Sequence, residues 1–297
     1  MTENAQQFPN LTFIGFGEAG HAIATSWVRP ERATTKAFDV KLLDSGGDKA
    51  GLVIERCAAA GVAPVTDHAE ALRGAGLVFS LVTASQALEA ARAGAPHLEP
   101  GALWFDCNSC APQTKQKAAA VIEAADGRYV DVAIMAPVYP KRHEVPLLLA
   151  GPHAVAASAL IERLGMRPSL IGSQVGDASS VKMLRSVMIK GLEALTSECL
   201  LAARRAGVEE AVLSSLQASD PGIDWRARGA YNLERMMAHG TRRAEEVEEV
   251  CATLRAFGLP DWMSRGTVEW QRRLAGLEIA PGNADLAERC DAVLGRL

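Results

Sequence analysis

Neither sign of charge is in excess in this chain of 297 residues: 31 basic and 35 acidic side chains leave a formal charge of −4. That balance offers no footprint for nucleic acid or for an anionic membrane surface as partner. No apolar run approaches the roughly 18 residues that span a bilayer. Residues 1–9 are polar and lack the basic-then-apolar order of a secretory leader, so the expected location is the cytoplasm. Cysteine is sparse, and Cys57, Cys107, Cys110, Cys199, Cys251 and Cys290 are scattered as reduced, partly buried thiols would be. Cys107 and Cys110 form a C-x-x-C, but no second pair completes a zinc site. The six histidines show no H-x-H or H-x-x-x-H spacing, and no metal is expected. Repeats and low-complexity tracts are also missing. A chain this long can bury a full core without metal or disulfide.

What is present begins with an apolar strand at residues 11–14, followed at once by Gly15-Phe16-Gly17-Glu18-Ala19-Gly20. An apolar helical stretch with Ala22, Ile23 and Trp27 comes next, and Asp39 closes a second strand-like run 19 residues beyond Gly20. Strand, glycine turn, helix and acid in that order describe a dinucleotide site. Gly15 permits the tight turn, Gly17 has no Cβ to block a pyrophosphate, and Gly20 lets the helix pack close. The phosphates then meet free amides at the positive end of the helix dipole. Asp39 is placed to accept from the adenosine ribose hydroxyls, and its charge repels the extra phosphate of NADP. The cofactor expected is NAD or NADP, with NAD favoured; Lys36 and Lys41 beside Asp39 keep NADP open.

Short apolar runs alternate with amphipathic stretches through the first 170 residues, the pattern of a doubly wound, mostly parallel Rossmann sheet. Strands are predicted at 35–40, 62–65, 77–82, 102–106, 129–135, 147–149 and 169–171, with Asp67 capping one helix and Pro112 beginning another. From Gly176 onward the apolar period changes to about 3.6. Val181, Leu184, Met188, Leu192 and Leu195 recur on one helical face, and Lys182, Ser186, Lys190 and Glu193 on roughly the opposite one. A second stripe runs through Leu233, Met237, Ala244, Val247, Cys251 and Leu254 until Gly258-Leu259-Pro260 stops it. The fold class expected is an N-terminal α/β Rossmann domain over residues 1–174 and an all-α domain over residues 175–297.

Ligands of an open parallel sheet bind beyond the carboxyl ends of its strands. Val82-Thr83-Ala84-Ser85 is small and hydroxylic, suited to lie along the nicotinamide ribose, although Ser85 as a plain helix cap reads equally well. In the loop from Asp106 to Pro112, Asn108 and Ser109 offer donors to a substrate carboxylate; the plainer reading is a polar loop capping the next helix. Lys182 stands one to two turns into the helix that leaves the nucleotide domain. As a residue type it says little, since most helical lysines are solvated. Met135, Tyr139, Trp225 and Tyr231 are candidates for an apolar pocket or, more simply, for core.

These motifs together resemble the β-hydroxyacid dehydrogenases, the family of 3-hydroxyisobutyrate and tartronate semialdehyde-type reductases and of the nucleotide domain of 6-phosphogluconate dehydrogenase. The glycine turn at Gly15, Gly17 and Gly20 matches theirs. Their D-x-S-T-x-x-P substrate loop is similar to Asp106 through Pro112, with Asn108 and Ser109 where the family has Ser and Thr. Their G-x-G-x-x-x-K motif resembles Gly176 to Lys182, with Ala178 for the second glycine. By that resemblance, which spans essentially the whole chain, Lys182 is the catalytic lysine and the helical domain forms a homodimer.

The chain also departs from the family. Its D-A-P-V-S-G-G motif appears as Asp131-Val132-Ala133-Ile134-Met135-Ala136-Pro137, without the serine and glycines, and Arg185 and Ser186 replace the paired asparagines after the lysine. No K-D-L motif is evident, and Glu245 and Glu246 fall near its place. The resemblance is therefore to a divergent branch whose substrate the motifs do not name.

His239, Arg242, Arg243 and Glu246 share one helical face. They form either a solvated, salt-bridged surface or an arginine fork that holds a substrate carboxylate or phosphate. The reaction expected is hydride exchange between nicotinamide and a β-hydroxy acid or related alcohol. Lys182 is general acid/base in it, Asn108 and Ser109 orient the substrate, and Ser186 or Lys190 reach the same group. An imine-type reductase on the same scaffold and a nucleotide-binding sensor without turnover are the alternatives.

Overall fold

The computed structural model describes residues 8–28, 33–44 and 47–297; most of the polar N-terminal run read above lies outside them. The chain divides into two compact units after Lys182.

The first unit begins with β1 (Asn10–Ile14), α1 (Glu18–Ala24), β2 (Thr35–Phe38), α2 (Asp48–Ala60), β3 (Ala63–Val65), α3 (His68–Leu72), β4 (Ala75–Ser80) and α4 (Ala87–Gly94). It continues through β5 (Leu103–Asp106), α5 (Pro112–Glu123), β6 (Arg128–Ile134), β7 (Pro146–Ala150), α6 (Ala154–Glu162) and β8 (Arg167–Gly172). The eight strands form one sheet in the order β3-β2-β1-β4-β5-β6-β7-β8. All neighbours are parallel except β6 with β7. The order reverses between β1 and β4, so the topological switch point lies beside the glycine turn.

Both faces of the central strands are buried, which is why these strands read as continuous apolar runs. Phe13, Phe79 and Phe105 stack across three neighbouring strands on one face, with ring centroids 5.6 and 4.9 Å apart. The residues next to two of them, Val78 and Trp104, belong to the core of the other face with Tyr129.

Local signals set the boundaries that were expected of them. Asp67 accepts from the amides of Ala69 and Glu70, and Pro112 is the first residue of α5. Several boundaries differ, three of them at the ends of strands or the start of a helix beside the ligand loops. The run at 35–40 leaves the sheet after Phe38, where Asp39 caps a short 3-10 turn through its bond from the Lys41 amide. β4 ends at Ser80, two residues before Val82. Ser85 is no helix cap, because a 3-10 turn starts at Ala84 and α4 only at Ala87.

The remaining helices are α7 (Asp177–Arg205), which carries Lys182 in its second turn, and α8 (Glu209–Ser219), α9 (Trp225–Ala256), α10 (Trp262–Ala275) and α11 (Leu286–Leu294). In α9 the predicted stripe is the buried one: Leu233, Met237, Ala244, Val247 and Cys251 are all core. In α7 the two faces are inverted. Val181, Leu184, Met188, Leu192 and Leu195 are exposed, at up to 62% for Met188, whereas Ser186, Lys190 and Glu193 are buried. No helix among the described residues is long and apolar enough to cross a membrane.

Candidate active site

The turn after β1 is built as its glycines require. Gly15 adopts φ +86°, and a Cβ there would lie 2.6 Å from the Leu81 carbonyl oxygen. Only glycine takes that conformation and that approach without strain. A Cβ on Gly17 would meet nothing within 4 Å. The backbone there faces open space, as an approaching pyrophosphate needs. Phe16 turns its ring into the core, so only its backbone is left for a ligand. That backbone N–H donates to Asp39 Oδ2 at 2.9 Å, while Asp39 Oδ1 accepts from the Lys41 amide at 3.0 Å. The acid at the end of β2 is thus held against the glycine turn with lone pairs to spare for ribose hydroxyls. Lys36, one of the two lysines that kept a 2′-phosphate open, donates to the Glu70 carbonyl at 2.8 Å instead. The turn, the open space at Gly17 and the fixed acid fit a dinucleotide.

Lys182 and Ser109, picked from separate motifs, are brought together: the Nζ donates to the Ser109 Oγ. Neither is fully buried. Asn108, expected as a substrate donor, is bonded within the protein instead. Its side chain is 4% exposed. Oδ1 accepts from the Val82 amide at 2.7 Å, and Nδ2 donates to Ser80 Oγ and Asp106 Oδ1. Both donors are spent on tying the loop after β5 to the end of β4. Val82 is held through its backbone, and Thr83 Oγ1 lies 3.3 Å from Ser85 Oγ.

Beneath this pair lies an ion cluster that the sequence reading missed. Lys115, Asp106 and Asp131 are all fully buried. Lys115 Nζ donates to the Asp106 carbonyl oxygen at 2.5 Å and to its Oδ1 at 2.9 Å, and sits 3.5 Å from Asp131 Oδ1. Tyr129 OH donates to Asp106 Oδ2 at 2.6 Å. Asp131 Oδ2 in turn accepts from the amides of Gly176 and Ser179 and from the Ser179 hydroxyl. The carboxylate therefore caps the start of α7, where the helix dipole favours it. One cluster anchors both the loop carrying Ser109 and the helix carrying Lys182.

Burial alone would strip the Lys115 ammonium, but Asp106, the Cys110 sulfur and Asp131 outweigh it and hold its pKa above the lysine range. Burial first, then the Asp106 carboxylate, pushes the Tyr129 phenol well up. Burial also pushes the Cys107 thiol up to about 12, which suits an inert thiol. A signal for Lys115 was present: with Ala118, Ala119 and Ile122 it falls at i, i+3, i+4 and i+7, a lysine in the apolar stripe of α5.

In the second unit the remaining candidates serve one another. Lys190 Nζ lies 3.0 Å from Ser186 Oγ and 3.0 Å from Glu246 Oε2. Arg242 takes the other Glu246 oxygen from an exposed position. Arg243 does form a two-point fork, but its carboxylate is the buried Glu193, which also accepts from Gln271. Arg243, Ser186 and Lys190, expected as substrate ligands, have their polar atoms buried and paired inside the protein. His239 is half-buried, its pKa lowered first by burial and then by Arg235 and Arg242. Trp225 packs against the core of this unit, and Met135 against a small cluster of Ala133, Ala150 and Ala178, as ordinary core residues. No group of three or more potential metal ligands occurs among the described residues.

A switch-point sheet with an open glycine turn and an acid held against that turn is the arrangement of a dinucleotide-binding protein. Comparison with known proteins bears this out: residues 10–157 match the NAD binding domain of 6-phosphogluconate dehydrogenase, and residues 203–274 a domain of unknown function, DUF1932. A conserved hypothetical protein from Sinorhizobium meliloti 1021 is 36% identical, covers 98% of both chains and superposes with a TM-score of 0.75. The conserved protein MTH1747, of unknown function and reported to resemble 3-hydroxyacid dehydrogenases, is 32% identical over 91% of this chain and 98% of its own, with a TM-score of 0.69. The 3-hydroxyisobutyrate dehydrogenase of Pseudomonas aeruginosa is 25% identical over 75% of this chain and 73% of its own. The chain belongs to the 3-hydroxyisobutyrate dehydrogenase-like β-hydroxyacid dehydrogenases, with a DUF1932 domain at the C-terminal end.

Proposed function

We propose that the protein is an NAD(P)-dependent oxidoreductase acting on the alcohol of a β-hydroxy acid or a related compound, with Lys182 as general acid/base. The observation that carries the reading is the Lys182 amine on the Ser109 hydroxyl, in the same unit as the glycine turn. A bound nicotinamide coenzyme supplies the hydride acceptor. The side chains do the rest. In the oxidative direction the O–H proton passes to a neutral Lys182 Nζ as the carbinol hydride departs and the carbonyl forms. In the reductive direction the ammonium returns that proton to the forming alkoxide and its charge stabilises the transition state. Ser109, already bonded to the amine, holds the reacting oxygen beside it. Asn108 contributes by position only, through Val82 and Asp106. Asp39 favours NAD over NADP, and the bond from Lys36 to Glu70 removes one of two candidate phosphate ligands.

A panel of hydroxy acids with each coenzyme, followed by nicotinamide absorbance, tests the reading and sets it against imine reduction. With the best substrate, Lys182→Ala is expected to lower turnover by about 100-fold or more while leaving the coenzyme constant nearly unchanged. Turnover above about a tenth of wild type would remove the lysine from the chemistry.

A further inference from the structure

In the second unit, α9 and α11 hold a buried cation without a counter-ion. Arg289, in the first turn of α11, is 7% exposed. Its Nε donates to the Pro281 carbonyl at 2.9 Å and its Nη1 to the Ala230 carbonyl at 2.5 Å. Among the described residues no carboxylate comes within 4.0 Å of it, and Nη2 donates to nothing. The acids next to it in sequence serve other groups: Asp285 caps α11 through the Glu288 amide at 2.9 Å, and Glu288 accepts from Asn283 at 3.4 Å. Arginine is almost never buried this far unless it is paired with an acid. A guanidinium carries five N–H groups, and this one uses two.

The guanidinium lines a cavity of about 310 Å³. From α9 the lining takes Ala227, Ala230, Tyr231 and Glu234, at i, i+3, i+4 and i+7 on one helical face, and Ala284 completes it from the loop before α11. Glu234 is the second charge of this cavity. It makes no hydrogen bond and no ion pair among the described residues, with Arg289 or with any other group. Two opposite charges thus line one small space and neither satisfies the other. The remaining walls are three alanine methyls and Tyr231, which is 51% exposed. A few polar groups set in apolar walls, in a volume near the lower bound of about 300 Å³, is the composition of a small-molecule site.

We propose that this cavity binds a small α-amino acid as its zwitterion, with the carboxylate on Arg289 and the ammonium on Glu234. The carboxylate takes the free Nη2 through charge-assisted hydrogen bonds and leaves intact the two carbonyl bonds that hold the arginine in place. The ammonium brings three donors to a carboxylate that has none. A simple anion would satisfy Arg289 and set its own charge against Glu234, and a simple amine would do the reverse. The zwitterion neutralises both. Ala227, Ala230, Ala284 and the Tyr231 ring select a small apolar side chain. None of these residues takes part in the chemistry proposed above, so the inference is independent of it.

Calorimetry on the full chain, without coenzyme, tests it with L-valine and then with the other common amino acids as probes. At least one with a small apolar side chain is expected to bind with Kd below about 1 mM. Isovalerate, which lacks the amine of valine, and isobutylamine, which lacks its carboxylate, are each expected to bind at least tenfold more weakly. Arg289→Gln removes bonds that tie α11 to α9 and is a test of folding as much as of binding. Glu234→Gln breaks no bond of the protein, so it is expected to keep the wild-type melting temperature and to lose affinity at least tenfold. Lys182→Ala is expected to bind as wild type does. Absence of binding by every amino acid up to about 10 mM would overturn the inference. So would a Glu234→Gln variant of unchanged affinity. Binding abolished by Lys182→Ala would assign the ligand to the lysine's site and overturn it equally.

Discussion

Replacing Lys115 by Met keeps the length and most of the volume of the side chain but removes the one cation between two buried carboxylates. In the wild type Lys115 bonds Asp106 at its carbonyl and Oδ1 and approaches Asp131 Oδ1 within 3.5 Å. Removing one partner of a buried pair typically costs about 3–5 kcal/mol. The lower end applies here. Asp106 keeps its bonds from Asn108 and Tyr129, and Asp131 keeps three donors at the start of α7. At about 3 kcal/mol, and with a unit of this size losing about 2–4 °C per kcal/mol, the melting temperature should fall by about 6–12 °C.

The loss carries a signature of its own. Without the ammonium the two carboxylates repel each other in a dry site, and the folded pKa of at least one rises above its unfolded value. A proton taken up there offsets the missing cation, so the deficit against wild type is largest above neutral pH and narrows on acidification. Urea unfolding of both proteins at pH 7.5 and 5.5 measures it. A deficit below about 1 kcal/mol at pH 7.5, or one of the same size at both pH values, would refute the assignment of Lys115 as the cluster's counter-charge.

Two further outcomes are expected. Gly17→Val should fold normally, since a Cβ there meets no protein atom within 4 Å, yet weaken coenzyme binding at least tenfold in calorimetry by filling the pyrophosphate's space; unchanged affinity would move the phosphate site elsewhere. His21, His68 and His239 are all held below the ordinary 6.5, each first by burial and next by a neighbouring basic group: Arg56, His97 and Arg235 in turn. A depressed folded pKa means that the unfolded chain binds more protons in acid, so their contribution is present above pH 6.5 and is lost as pH falls below it. The urea midpoint should drop between pH 7.5 and 5.5, and less so in a variant carrying glutamine at all three positions; an equal drop would show that other groups carry it.

Much of the molecule was determined by short-range rules that the sequence displays openly. The glycine turn, the Asp67 cap, the Pro112 helix start and the Gly258 stop each depend on the backbone preference or hydrogen bond of a residue acting within a few positions of itself. The alternation of strand and helix follows from periodicity, and with it the parallel sheet and its switch point. Lys182 and Ser109 were legible as members of motifs; their contact, across 73 positions, belongs to the fold. The tertiary structure decided the rest. Arg243 forms a fork, but the carboxylate it holds is Glu193, 50 residues away on another helix, and not one of a ligand. Asn108 offered donors, and only the return of β4 beside β5 showed them already taken. The hydrophobic period of α7 marked two faces and could not say which one points inward, because a helix turns its polar side to the interior when that side finds buried charged partners, as Lys190 and Glu193 do in Glu246 and Arg243. Sequence periodicity sets the faces of an element, and the ion pairs and apolar contacts made by distant segments set which face is buried.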